Sequence, residues 1–157
     1  MKLSTAAAAL LVAFFAGAAE ARDIPAGGLT YEEVAAWLRD SGFPAKVEPD
    51  PTTGAAPDSR IVSSSVDGVN FDVYFYACSA GRCGSIQYAA GWTSSPGSPD
   101  RIGAWNRDKR YIRAYTTKGQ YWAEYDVDVD PGSYEQLAHS LVRWRQAVDD
   151  YKTYMSF

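Results

Sequence analysis

The chain has 157 residues, 46% of them apolar and 22% charged, with 15 Lys and Arg against 19 Asp and Glu for a net charge of -4. That is the composition of a globular protein, and its acidic balance lacks the cation excess with which nucleic-acid binders neutralise phosphates, so no nucleic-acid partner is expected. Two Cys and one His are too few for a Cys/His zinc site and leave at most one histidine-based catalytic centre.

Lys2, the uncharged apolar run from Ala6 to Ala18 and the small-x-small tripeptide Ala19-Glu20-Ala21 have the build of a signal peptide, residues 1–21, with cleavage expected after Ala21. The run is shorter than the roughly 20 residues that cross a bilayer, so no membrane span is expected. With Cys only at Cys78 and Cys83, no lipid anchor is expected at the cut either. Residues 22–157 then form one domain in the periplasm or outside the cell.

Leu29-Thr30-Tyr31-Glu32-Glu33-Val34 predicts a helix opened by a capping box, Thr30 to Glu33, and a hydrophobic staple, Leu29 to Val34. Val34, Trp37 and Leu38 form its buried stripe, and Gly42 stops it. A short strand follows near Ala45 to Glu48, then a Pro-rich loop from Pro49 to Ser59 without periodicity. Arg60 to Val66 is a strand, turned at Asp67-Gly68 into another that starts at Val69.

Two alternating runs, Val69 to Ala77 and Gly84 to Trp92, flank Cys78-Ser79-Ala80-Gly81-Arg82-Cys83. With the two Cys facing each other across an antiparallel hairpin, Phe75 meets Ile86, Val73 meets Tyr88 and Phe71 meets Ala90 on one apolar face. Asn70/Gly91, Asp72/Ala89, Tyr74/Gln87, Tyr76/Ser85 and the Cys pair take the other. In an oxidising compartment Cys78 and Cys83 read as a structural disulfide. The alternative, a redox or metal pair, ordinarily uses C-x-x-C, and no His lies nearby.

Ser98-Pro99-Asp100 predicts a second helix, capped by Ser98, with Pro99 at its first position and Ile102 and Trp105 buried. A second hairpin spans Tyr111 to Val129 and turns at Lys118-Gly119. Arg113 then faces Glu124 and Tyr115 faces Trp122, with Ile112/Tyr125 and Ala114/Ala123 on the opposite side. A last helix begins near Ser133 and places Tyr134, Leu137, Ala138, Leu141, Trp144, Val148, Tyr151 and Met155 on one stripe.

Gly28-Leu29-Thr30 with the helix to Gly42, the stretch from Asp67-Gly68 through Tyr74-Phe75-Tyr76-Ala77-Cys78, and Trp105-Asn106-Arg107-Asp108-Lys109-Arg110-Tyr111 followed by Arg113-Ala114-Tyr115 resemble the YbjN family, and its exported branch in particular. Its members are described as putative bacterial sensory transduction regulators. The resemblance implies an α+β fold similar to type III secretion chaperones, an antiparallel sheet flanked by helices in the order α-β-β-β-β-α-β-β-α. It implies no catalytic residues, and no cofactor is expected.

Tyr74, Tyr76, Tyr115 and Trp122 fall opposite the core positions of their own hairpins. They form a contact surface if helices cover only one side, and an interior if a helix or long neighbours cover them; alternation alone does not decide. The expectation is a non-catalytic interaction or chaperone-like protein that binds a protein partner, or a second copy as a homodimer, through this face. One alternative is a hydrolase in which His139 meets Ser63, Ser64 or Ser65 and an acid, or which uses the acidic strand. Another is a small-molecule module with an apolar pocket between helix and sheet. Asp126, Asp128 and Asp130 suggest a cation loop, but an EF-hand register puts Pro131 at the glycine position and Leu137 at the bidentate acid, so no metal is expected.

Overall fold

The computed structural model describes residues 22–52, 59–93 and 99–157. The expected leader with its cut after Ala21, residues 53–58 of the Pro-rich loop and the expected cap Ser98 lie outside the described residues.

The elements run as α1 (Tyr31–Asp40), β1 (Ala45–Pro49), β2 (Arg60–Val66), β3 (Val69–Ser79), β4 (Arg82–Trp92), α2 (Pro99–Asp108), β5 (Arg113–Thr117), β6 (Gln120–Asp128) and α3 (Tyr134–Met155). The six strands form one antiparallel sheet in the order β1-β2-β3-β4-β6-β5, an α+β fold with the expected order of elements. The hairpin registers are those the alternation predicts: Val73 faces Tyr88, Phe75 faces Ile86, Arg113 faces Glu124 and Tyr115 faces Trp122.

Local chemistry starts and stops the helices. Thr30 Oγ1 accepts the Glu33 N–H at 3.1 Å while the Glu33 carboxylate accepts the Thr30 N–H at 2.9 Å, closing the box at the head of α1. Ser133 and Gln136 close a second box at the head of α3, a reciprocal pair that the reading from Ser133 alone does not include. Just before α1, Leu29 exchanges both backbone hydrogen bonds with Cys83, at 3.0 and 2.9 Å. Gly28 must therefore lie against β4. A Cβ there would stand 1.9 Å from the Cys83 carbonyl oxygen, and φ is +92, so only glycine fits.

Several boundaries and two stripes differ from expectation, β1 running to Pro49 and β6 ending at Asp128 among them. β3 and β4 extend to Ser79 and back to Arg82, because the disulfide end of the hairpin stays paired. β5 starts at Arg113 rather than Tyr111, whose φ of +75 takes it out of extended backbone. In α1, Ala35 is buried and Trp37 only half-buried. In α3, Ala138 faces solvent while Ser140 and Ala147 are buried. One helical residue advances the phase by about 100°, so Ala138 turns away from the Leu137–Leu141 stripe and Ser140 turns toward it.

The core lies on one side of the sheet. Val34 and Leu38 of α1, Ile102 and Trp105 of α2, and Leu137, Trp144 and Tyr151 of α3 join Phe71, Val73, Tyr88, Ala90, Ala114 and Ala123 in one cluster. Tyr88 stacks on Trp144 at 5.8 Å, with Phe71 edge-on to both at 5.9 Å. Each fully buried large side chain of this kind is worth about 1.5–3 kcal/mol in transfer free energy. The Tyr88 hydroxyl lies 3.1 Å from Ser140 Oγ, which satisfies a phenol that burial pushes far above its usual titration range.

Candidate functional site

The pairing of β4 with β6 brings the two hairpins edge to edge: Gln87 faces Asp126, Ala89 faces Glu124 and Gly91 faces Trp122. On the side away from the core, Tyr74 and Tyr76 of β3 thus share a surface with Trp122 and Glu124 of β6 and with Arg113 and Tyr115 of β5. The helices pack on the other side. The four rings do not form a bare patch, however: Tyr76 is 48% exposed, while Tyr74, Tyr115 and Trp122 are half-buried by neighbouring side chains.

Each of three rings is seated by a specific partner. The Tyr115 hydroxyl donates to Glu124 Oε1 at 2.5 Å, and Arg113 pairs with Oε2. Glu124, only 8% exposed, thereby has both oxygens satisfied. Tyr76 donates to Gln87 Oε1 at 3.3 Å, and Gln87 Nε2 donates to Asp126 Oδ1 at 2.7 Å. Trp122 lies over Gly91, its six-membered ring 3.1–3.2 Å from where a Cβ would stand, which explains a glycine in mid-strand. The Trp122 Nε1–H is buried and finds no acceptor among the described residues.

Burial, then the Asp72 and Asp50 carboxylates, push the Tyr74 phenol up to about 12. Burial and the Glu124 and Asp126 charges raise Tyr76, and burial with the hydrogen bond to Glu124 raises Tyr115. All three phenols therefore stay protonated as donors, in a region whose carboxylates disfavour further negative charge.

Two concavities mark this face. One, of about 480 Å³, is lined by Tyr74, Tyr76, Gln87, Tyr115 and Glu124, and the other, of about 640 Å³, by Ser63, Ser65, Asn70 and Asp72; Ala89, Gln120 and Trp122 line both. They lie on the outside of the sheet, not between helix and sheet.

Other candidate residues are dispersed. The His139 side chain is 66% exposed on the outer side of α3, 3.9 Å from Glu135. Ser63 is across the sheet, donating to Asp72 at 2.7 Å, and the Ser64 hydroxyl donates to the Pro44 carbonyl at 2.7 Å. Ser63 thus lies on the open face and Ser64, opposite Phe71, on the covered one, while His139 points outward from α3, so the alternative Ser-His-acid arrangement is not assembled. In the acidic strand, Asp126 accepts from Gln87, whereas Asp130 accepts the Gly27 N–H at 2.9 Å and belongs to the N-terminal segment. Among the described residues no group of three His, Cys, Asp or Glu could hold a metal ion. No described helix is long and apolar enough to cross a membrane.

Cys78 and Cys83 are joined by a disulfide, with Cα atoms 3.9 Å apart. They do not share the open face evenly: Cys78 is exposed, but Cys83 is 1% exposed beside Leu29. Arg82, not singled out from the chain, ties this hairpin end to α1 by donating to the Gly28 carbonyl at 2.9 Å and pairing with Glu33 at 2.7 Å. Asn106 plays a comparable part at the β5 edge of the sheet. Its carboxamide donates to the Ala114 carbonyl at 2.8 Å and accepts the Ala114 N–H at 2.9 Å, occupying the outer edge of β5 as a neighbouring strand would. In the sequence its signals are its place beside the core residue Trp105 and in the Trp105–Tyr111 stretch that carries the family resemblance.

These features define a class: an α+β protein with a six-stranded antiparallel sheet, helices on one face and an aromatic, acidic surface on the other. The YbjN family model, "Putative bacterial sensory transduction regulator", matches residues 30–157, and the chain belongs to that family. Comparison with curated proteins and with solved structures returned no match.

Proposed function

We propose that this protein is an exported, non-catalytic interaction protein of the bacterial envelope that holds a partner against the open face of its sheet. The observation that carries the reading is the crowding of all three described helices onto one side, which leaves Tyr74, Tyr76, Tyr115 and Trp122 on the other. Contact surfaces on proteins are enriched in such rings. Export is supported by the signal-peptide pattern of residues 1–21 and by the oxidised Cys pair, which suits a compartment without cytosolic thiol reductants. A family described as regulators is compatible with action by contact. A chaperone-like role is the same act with an unfolded or extended partner.

Purification of the full-length product from producing cells tests both halves. Intact mass should show an N-terminus at Arg22 and no free thiol, and an unprocessed chain would remove export. A photo-crosslinker placed at Lys118, on the rim of the groove, should capture a partner that Tyr76→Ser and Trp122→Ser lose. Light scattering identifies a second copy if that is the partner. An unchanged monomer with unchanged capture overturns binding through this face.

A further inference from the structure

We infer that the open face accepts a lysine- or arginine-bearing extended segment of a different protein, laid across the strands over Tyr76 and Trp122 with its cations toward Asp126 and Asp128. This rests on the reading that the face is a binding surface.

Charge is the first argument. The side chains that the register directs to this face include five carboxylates, Glu48, Asp72, Glu124, Asp126 and Asp128, against two cations, Lys46 and Arg113, a surplus of three negative charges. Both cations are already engaged, Lys46 with Glu48 at 2.5 Å and Arg113 with Glu124. Asp72 and Asp126 are held by neutral donors, Ser63 and Gln87, at 2.7 Å each. Arg60 and Lys118 line the smaller concavity with Asp50 and Glu124, which reduces the surplus to two and leaves it at Asp126 and Asp128, beside Tyr76 and just outside that lining.

The rings are the second argument. Elsewhere this chain places its own cations over its rings, Arg22 over Tyr134 at 3.9 Å and Arg101 over Tyr154 at 4.7 Å. On the open face Arg113 already stands over Tyr115 at 5.6 Å, whereas among the described residues no such cation is found over Tyr74, Tyr76 or Trp122. A ring face flanked by carboxylates attracts an ammonium or guanidinium group by quadrupole and charge together.

Shape and sign choose the partner. From β2 to β5 the joined concavities cross four strand spacings, about 19 Å, the reach of roughly six residues of extended chain. A second copy would bring the same acidic face and an overall charge of -4, so like charges would oppose face-to-face pairing.

The test is a fluorescence-anisotropy titration of the purified protein with labelled alternating peptides of about ten residues, Lys-Thr, Gln-Thr and Glu-Thr. Lys-Thr should bind tightest and weaken as salt rises from about 10 mM to about 150 mM. Asp126→Asn with Asp128→Asn, both exposed changes that leave the core alone, should weaken it about fivefold while leaving Gln-Thr unchanged. Equal binding of Lys-Thr and Glu-Thr, or indifference to the double variant, overturns the inference. Tyr76→Ser separates the two readings. If it weakens all three peptides alike, the face binds without regard to charge, and only the present inference falls. If it changes none, the binding surface itself is lost and both readings fall.

Discussion

The two faces of this sheet are built from the same strands and both carry aromatic rings, yet they use them oppositely. On the covered face rings meet rings: Tyr88, Trp144 and Phe71 pack within 5.8–5.9 Å of one another. On the open face they meet polar groups and backbone instead, Tyr115 on Glu124, Tyr76 on Gln87 and Trp122 over Gly91. A ring is therefore no index of the interior. What separates the faces is the company each ring keeps in its register, and a ring seated on a carboxylate or a glycine retains a surface for something else.

The contrast is broken most severely by Trp144→Ala. It should cost about 3–5 kcal/mol in denaturant unfolding, since the ring is fully buried and no neighbour can fill its space. A loss below about 1 kcal/mol would mean that the covered face is not the core. Reduction of Cys78–Cys83 comes next, at about 2 kcal/mol, because the closed loop is short; thermal unfolding with and without reductant measures it.

Asn106→Ala should cost about 1–2 kcal/mol by leaving the Ala114 N–H and C=O without their partner. It should also raise the apparent mass in concentration-dependent light scattering, as an opened β5 edge invites strand pairing. An unaltered monomer would show that Asn106 does not guard that edge.

The smallest effect is alkaline. Tyr74 titrates at about 12 in the folded chain, against about 10 when unfolded. The unfolded chain releases this proton first, so the contribution is whole below pH about 10 and disappears as pH rises toward about 12. The phenolate absorbance difference between the natural chain and Tyr74→Phe should therefore show a late step. A step near 10 would place Tyr74 in open water.

Much of this was readable from the chain because it is local. Asp67-Gly68 and Lys118-Gly119 each provide two positive-φ residues for a tight turn, and with a period of two each turn settles the pairs of its own hairpin, as the facing of Cys78 and Cys83 across Ala80-Gly81 does for β3 and β4. Thr30 and Glu33 announce α1 at a separation of three residues. The candidate surface was legible only by halves, Tyr74 with Tyr76 in one hairpin and Tyr115 with Trp122 in the other. Nothing near Trp92 or Gln120 says that their strands adjoin, and nothing near Asn106 says that its amide will complete a strand edge.

From the chain alone come the helices, the hairpin registers, the Cys pairing and the two faces of each strand, because turn chemistry, capping and periodicity act over a few residues. Only the folded molecule decides that β4 lies beside β6, that all three described helices take the same side, and that Cys83 is sealed by Leu29. Those choices depend on burying the Tyr88–Trp144 cluster against three helices at once. That free energy belongs to contacts distant in sequence, which no short window of residues contains.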